Sequence, residues 1–164
     1  MSPSRVLLIG SLAVPLAISS PGQNLFSQGR SRYAVASLGA KAYLHNQGRF
    51  SPGLLDNPKI ALWNAPIGEG TVGGPSDDTF LEVMVVGAPR DTPDSLLLRV
   101  VAFTDSDTLL DREVQVGRFN TNGRFYSAYW LYDTGCEPIT VQASLRGEGA
   151  GRGLQRVIPY DCGD

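Results

Sequence analysis

Histidine is almost absent from this chain, and its scarcity excludes several catalytic designs. His45 is the single histidine among 164 residues, and it lies in a stretch without strong strand or helix patterning. A Ser-His-Asp triad and a multi-histidine zinc site both need such side chains in a built cleft. The G-x-S-x-G nucleophile elbow is absent as well. The sequence therefore predicts a protein that is not an enzyme and uses no cofactor.

Basic residues are too few and too scattered for a nucleic-acid binder. The chain has 14 Lys and Arg residues against 16 Asp and Glu, with a net charge of −2. Only Lys41 and Lys59 are lysines, and the arginines are interspersed among acids. Binding to a phosphate backbone requires clustered positive charge. Nucleic acid is therefore not expected as a partner.

The apolar segment near the start is too short to cross a membrane as a helix. Val6–Ile18 runs for about 13 mainly apolar residues, whereas a spanning helix needs about 20. Arg5 precedes this segment, and Ala17 to Ser19 offer a small-x-small cleavage site. Residues 1–19 are predicted to be a signal peptide. The protein is then secreted, periplasmic or at the cell surface, without a stable membrane span.

Cysteine occurs only twice, at Cys136 and Cys162. An exported protein meets an oxidising compartment, so the two thiols are predicted to form one disulfide. Closing this loop of about 25 residues would stabilise the fold by roughly 3–4 kcal/mol in the chain-entropy model. Two free buried thiols are the alternative. A redox-active pair is disfavoured because the Cys-x-x-Cys spacing is missing.

Residues 20–57 are rich in Ser, Gly, Gln and Asn, and they are predicted to be a flexible connector. Four alanines between residues 34 and 42 favour a short helix over Arg32–Leu44, although Gly39 would weaken it by about 1 kcal/mol. We expect this connector to be mobile or to become ordered only against a partner.

From residue 58 onwards the pattern changes to short strands separated by turn residues. Asn122-Gly123 is the strongest hairpin signal in the chain, and no long helical pattern interrupts the strands. The fold predicted for residues 58–164 is all-β, an antiparallel β-sandwich of about seven strands with one disulfide. The predicted strands are Lys59–Asn64, Thr79–Val86, Ser95–Thr104, Leu109–Phe119, Arg124–Tyr132, Ile139–Leu145 and Leu154–Tyr160.

This strand pattern resembles the immunoglobulin-like and fibronectin-like sandwiches. Tyr160 stands two residues before Cys162, as a tyrosine does before the second cysteine of immunoglobulin domains, but no Trp lies between the two cysteines. The resemblance is therefore one of fold. Leu62-Trp63-Asn64 with the following Ile67 to Gly70 is similar to small exported bacterial proteins of unassigned activity, and it implies no reaction.

Two groups of acids offer metal-ligand candidates, Asp77 and Asp78 near Glu82 and a second group around the next turn. Asp105, Asp107 and Asp111 are spaced closely enough to contribute oxygen ligands to Ca²⁺. They lack the glycine and the terminal Glu of an EF-hand loop. Solvated turn acids are the interpretation favoured, so no metal is predicted.

An aromatic strand, Phe125 to Tyr132, is the best surface candidate. Alternation places Trp130 on one face and Tyr129 on the other. Trp130 is predicted to enter the core, which leaves Tyr129 exposed beside Arg118 and Arg124. The candidate binding surface comprises Tyr129, Arg118 and Arg124 and, with the strand turned the other way, Trp130, because aromatic and Arg side chains are favoured at protein interfaces.

These features predict a non-enzymatic exported interaction or structural protein that presents a sheet edge or an aromatic face to a protein partner. Such a protein could form a homo-oligomer or serve as a subunit of a larger extracellular or envelope assembly. The first alternative is a carbohydrate- or small-ligand-binding module, for which a row of exposed aromatics on one face is the discriminating feature. The second is an enzyme that uses acids alone, which requires at least two converging carboxylates.

Overall fold

The computed structural model describes residues 31–45, 47–56, 62–63, 78–134 and 137–161. Within these ranges every regular element is a strand, and there is no helix. The strands are β1 Ala34–Leu44, β2 Arg49–Phe50, β3 Leu62–Trp63, β4 Asp78–Val86, β5 Leu97–Phe103, β6 Thr108–Gln115, β7 Arg124–Leu131, β8 Ile139–Arg146, β9 Leu154–Ile158 and β10 Tyr160–Asp161. No described helix could serve as a membrane span.

Eight of these strands form two antiparallel sheets of four. The first sheet has the order β2-β1-β4-β7, and the second has the order β6-β5-β8-β9. The two-residue strands β3 and β10 pair in parallel with each other. The all-β, antiparallel part of the prediction is thus confirmed. Six of the seven predicted strands correspond to β4 through β9, whereas the first overlaps β3, which lies in neither four-stranded sheet.

One hydrophobic core is shared by the two four-stranded sheets. Alternate residues of β4 and β5 face inward, and Val83, Val85, Leu98 and Val100 are completely buried. The inward residues of β1 and β8 belong to the same cluster. Alternation of this kind is what two packed sheets require, since each strand covers the core with every second side chain.

Strand β1 contradicts the predicted connector with its short helix. It pairs with β4 along its whole length, and Ala40, Ala42 and Leu44 lie in the core. A β-bulge between Val35 and Ser37 shifts the alternation by one residue, so the strand period is interrupted in the sequence. Of the four alanines that favoured a helix, Ala40 and Ala42 are small core residues of a strand. The β-rich domain therefore begins before residue 58.

The predicted hairpin at Asn122-Gly123 is wrong in its pairing and right in its turn. Gly123 adopts a φ of 69°, and its N–H donates to the carbonyl of Asn120 at 3.0 Å. However, β6 pairs with β5 and β7 pairs with β4, so the chain crosses from one sheet to the other between them. Val116 and Phe119, buried in this crossing, fill the end of the sandwich.

Candidate binding surface

Aromatic side chains gather on the solvent side of the first sheet, at one end. We define the aromatic patch as Tyr43, Phe50, Phe80, Trp130 and Tyr132. Each ring of the patch has another ring centroid of the patch within 5.3–6.4 Å. The rings meet at interplanar angles of 52–74°, so they pack edge to face or tilted.

Strand register explains why these rings meet. Phe80 of β4 lies opposite Trp130 of β7, and Tyr43 of β1 lies opposite Phe50 of β2. The short turn after β1 folds back at Gly48, whose φ is 61°, and this turn returns Phe50 to the face that already carries Tyr43. A positive φ of this kind favours glycine.

The patch is open to solvent at its periphery. Tyr132 is 67% exposed and Phe50 is 43% exposed. Trp130, Tyr43 and Phe80 are half-buried by their neighbours. An apolar aromatic group on the solvent side of a sheet is uncommon unless it serves an interface or a ligand.

A hydrogen-bonded carboxylate fixes the central ring of the patch. Trp130 Nε1 donates to Asp78 Oδ2 at 3.3 Å, and His45 Nε2 lies 2.9 Å from the same oxygen. The His45 ring also meets Tyr43 edge-on, with centroids 4.9 Å apart. Asp78 therefore holds the indole and the imidazole together at the border of the patch.

Beneath the patch, buried hydroxyl groups join three segments of the chain. Thr79 Oγ1 is hydrogen-bonded to Tyr160 OH and lies 2.7 Å from Thr134 Oγ1. Burial raises the pKa of Tyr160 above its usual value, because the phenolate would be desolvated there. This cluster ties β10 to β4 and to the segment that follows β7.

The face of β7 is the reverse of the one predicted. Leu131 is buried, and Phe125 and Tyr129 pack against the core. Tyr129 lies opposite Leu81 of β4, and residues opposite each other in a ladder project to the same face. Tyr129 therefore points inward, whereas Trp130, expected in the core, points outward.

The four residues of the predicted surface are not brought together. Arg118 and Arg124 are exposed. Arg124 lies opposite Val86 at the far end of β7 from the patch, about 20 Å from Trp130 along the strand. Only Trp130 belongs to the aromatic patch.

Sequence reasoning missed four of the five rings, including Tyr132 at the end of the predicted aromatic strand. Tyr43 and Phe50 lie in the stretch predicted to be a connector, and Phe80 is part of a predicted strand whose faces were not assigned. The signal for Phe80 is the order Phe80, Leu81, Glu82, Val83, Met84, in which the acid identifies the solvent side.

The aspartates proposed as calcium ligands do not converge. Asp111 Oδ2 accepts from Arg99 Nη2 at 2.7 Å, and this guanidinium lowers the pKa of Asp111. Asp107 Oδ1 accepts from the backbone N–H of Thr108 within its own turn. Among the described residues there is no group of three or more His, Cys, Asp or Glu side chains that could hold a metal ion.

Among the polar depressions elsewhere on the described surface are the following two. One, of about 250 Å³, is lined by Asp107, Asp133 and Glu137 next to Ser106. The other, of about 200 Å³, contains Asp91, which accepts a hydrogen bond of 2.7 Å from Tyr33 OH. That hydrogen bond raises the pKa of Tyr33 and fastens the segment just before β1 to the loop after β4. Both depressions are small and polar, unlike the aromatic patch.

The predicted disulfide partners Cys136 and Cys162 lie outside the described residues, and so do residues 1–19 of the predicted signal peptide. No protein-family model matches the chain, and no curated protein matches it.

Proposed function

We propose that this protein is an exported, non-enzymatic binding module that uses the aromatic patch to contact a protein partner. The observation that carries the proposal is the cluster of five rings on the solvent side of the first sheet, in which Phe50 and Tyr132 are 43% and 67% exposed. Aromatic side chains are enriched at the centres of protein interfaces, where they contribute most of the binding energy.

The outer face of the second sheet supports this choice by contrast. There Arg99 pairs with Asp111, and Arg146 lies 3.7 Å from Glu113. Ion pairs of this kind are typical of a face that is exposed to solvent. The protein thus has one polar outer face and one aromatic outer face, and the aromatic one is the better candidate for a partner.

A carbohydrate-binding module is the second candidate, because exposed aromatic rings are its discriminating feature. Sugar rings stack on flat, open aromatic faces. In the patch the rings cover one another at 52–74° and offer no common plane. This geometry favours an irregular protein surface over a sugar chain.

A non-catalytic role is supported by the way the acids of the second sheet are used. Asp111 is engaged by Arg99, and Asp107 caps its own turn. An enzyme working with acids alone needs two carboxylates that face each other across a cleft. Of the three acids that line the depression of about 250 Å³, Asp107 and Glu137 already accept hydrogen bonds from Thr108 N–H and Ser106 Oγ.

Export and the disulfide enter the proposal from the sequence. The predicted signal peptide and the Cys136–Cys162 pair belong together, because oxidising compartments favour bridged cysteines. The proposed immunoglobulin-like relationship rests on the two packed antiparallel sheets and on the use of such sandwiches as extracellular interaction modules.

The proposal is tested with a photo-crosslinking amino acid placed at Tyr132 in the protein expressed in its own source. The matched control carries the same amino acid at Val157, which is 50% exposed on β9 of the other sheet. A defined crosslinked protein at position 132 that is absent at position 157 supports the proposal. It should disappear when Phe50 is also changed to Ala. Equal crosslinking at both positions contradicts a patch-specific partner.

The carbohydrate alternative is tested by fluorescence. Trp63→Phe leaves Trp130 as the only tryptophan, so its emission reports on the patch. If Trp130 emission changes saturably on titration with oligosaccharides, and if Tyr132→Ala abolishes this change, the ligand of the patch is a glycan and not a protein.

A further inference from the structure

The outer strands of the two sheets differ in how they are protected against pairing. Strand β9 is covered by the beginning of β1, where Val35 N–H donates to the carbonyl of Arg152 at 3.2 Å. Strand β2 is only two residues long. Strand β6 carries three consecutive exposed charges, Asp111 to Glu113. Short length, charge and cover are the usual means by which edge strands avoid other chains.

Among the described residues, strand β7 has none of these protections. It is eight residues long, contains no Pro and no acid, and carries its single charge at its first residue, Arg124. Among the described strands it pairs with β4 alone. An edge of this length and composition is a template for another strand.

We infer that β7 pairs antiparallel with β7 of a second copy, about a two-fold axis that is perpendicular to the sheet and passes midway between Ala128 and its copy. This inference goes beyond the proposed function, because the pairing uses the edge of β7 and leaves the outer face of the aromatic patch to its own partner. On the outer face, Ala128 meets its own copy and Tyr126 lies opposite Trp130 of the second copy. Aromatic cross-strand pairs stabilise such ladders.

The inner face is matched in the same register. Phe125 lies opposite Leu131 of the second copy, and Ser127 lies opposite Tyr129. Apolar side chains thus meet apolar ones. The two hydroxyl groups, already hydrogen-bonded at 2.9 Å within one copy, meet the equivalent pair. A two-fold interface requires that the strand be complementary to itself at every position. Pairing with a different protein has no such requirement.

Charge also favours the antiparallel arrangement. Arg124 begins β7 and Asp133 follows its end. Antiparallel pairing brings Arg124 of each copy opposite Tyr132 and next to Asp133 of the other, so opposite charges meet at both ends. Parallel pairing would place the two arginines side by side, and like charges directly opposite each other destabilise a ladder.

The two-fold axis leaves both aromatic patches on the same side of one eight-stranded sheet. Trp130 is two residues from the axis, so the two indoles would lie about 14 Å apart along the strand direction. The dimer would therefore present a double aromatic surface to any further partner.

Ala128→Cys tests the register directly. Opposite residues of an antiparallel pair have Cα separations of about 4.5–5.5 Å, which a disulfide can bridge. We expect A128C to form a covalent dimer under mild oxidation. Ser144→Cys is the control, because Ser144 is exposed on the outer face of β8 and lies away from the proposed axis.

Ala128→Lys tests the association without a covalent bond. It places like charges opposite each other and should raise the dissociation constant of the dimer by about ten-fold or more, while Ser144→Lys leaves it unchanged. At protein concentrations well below the dissociation constant, both variants should melt like the monomeric wild type, because both positions are exposed. The measurement is sedimentation equilibrium from roughly 1 to 100 µM.

A wild type that stays monomeric over this range, with A128C no more reactive than S144C, overturns the pairing. If position 132 then still crosslinks a foreign protein, the proposed function stands without self-association. If A128C forms dimers, and if Phe50→Ala does not reduce the crosslinking at position 132, the pairing stands and the proposed function fails.

Discussion

Single residues of β7 show which side of the strand faces the core. Leu131 and Tyr132 are adjacent, yet one is 1% and the other 67% exposed. Their neighbours on β4 decide this, because Leu131 lies opposite Thr79, which is buried with it. Sequence alternation predicts that the two residues differ but not which one is buried. The large indole of Trp130 suggested the wrong face.

Replacing these two neighbours separates the faces in an experiment. Leu131→Ala should lower the free energy of unfolding by about 2–5 kcal/mol, since it leaves a cavity in the core. Tyr132→Ala should change it by no more than about 0.5 kcal/mol. Urea unfolding followed by circular dichroism measures both. Equal losses, or a larger loss for Tyr132→Ala, would contradict the assigned face.

Tyr160 should make stability sensitive to alkaline pH. Its pKa is raised by burial in the folded protein, so the neutral phenol stabilises the fold below the unfolded value of about 10. That contribution is lost as the pH rises through the folded pKa. Tyr160→Phe should cost about 1 kcal/mol at neutral pH through the lost hydrogen bond to Thr79. It should also reduce the loss of stability above pH 10.

Thermal unfolding of both proteins between pH 7 and 11 measures this effect. Tyr132→Phe is the matched control, because Tyr132 is largely exposed. A wild type and a Y160F variant with parallel pH profiles would show that Tyr160 does not ionise with the transition.

At the scale of elements, the strands whose apolar and polar residues alternate most clearly were the ones best predicted from the sequence. The runs Leu81-Glu82-Val83 and Leu98-Arg99-Val100 alternate cleanly, and β4 and β5 were predicted within two residues of their ends. In β1, a bulge breaks the alternation and alanine occupies two of the inward positions, Ala40 and Ala42, so local helix propensity outweighed the strand pattern. Tertiary pairing with β4 decided the outcome.

The aromatic patch was only partly predictable for a related reason. Its rings come from β1, β2, β4 and the end of β7, and only strand order and register bring them together. The sequence identifies Trp130 as a surface candidate. It contains no local signal that Phe50 returns to the same face through the turn at Gly48.

Hydrogen exchange tests the assignment of β1. Because β1 pairs with β4 along its length, its amides should exchange as slowly as those of β4 when measured by NMR on the native protein. The amides of the edge strand β6 should exchange faster. If the amides of residues 37–44 exchanged at the rates of an unstructured chain, the prediction of a flexible connector would be correct and the assignment of β1 would be wrong.

At the scale of the whole molecule, the first sheet and the shared core depend on residues that precede position 58. Strand β1 lies between β2 and β4, and Val35, Leu38, Ala40 and Leu44 are buried in the core. Removing β1 would expose the edge of β4 and uncover apolar side chains of both sheets. The loss is comparable to several large-to-small core substitutions at once, each worth about 2–5 kcal/mol, against a total stability of about 5–15 kcal/mol.

A chain that begins at residue 58 should therefore fail to fold, although the sequence alone placed the complete sandwich within residues 58–164. The control is a chain that begins at Ser20, which retains β1. We expect a cooperative thermal transition and dispersed amide resonances for the control only. The shorter chain should bind an apolar dye and aggregate, since an uncovered strand edge and core face invite other chains. Cooperative unfolding of the shorter chain would mean that the second sheet and the remaining strands form a core of their own. In that case β1 would be an addition to the domain and not one of its central strands.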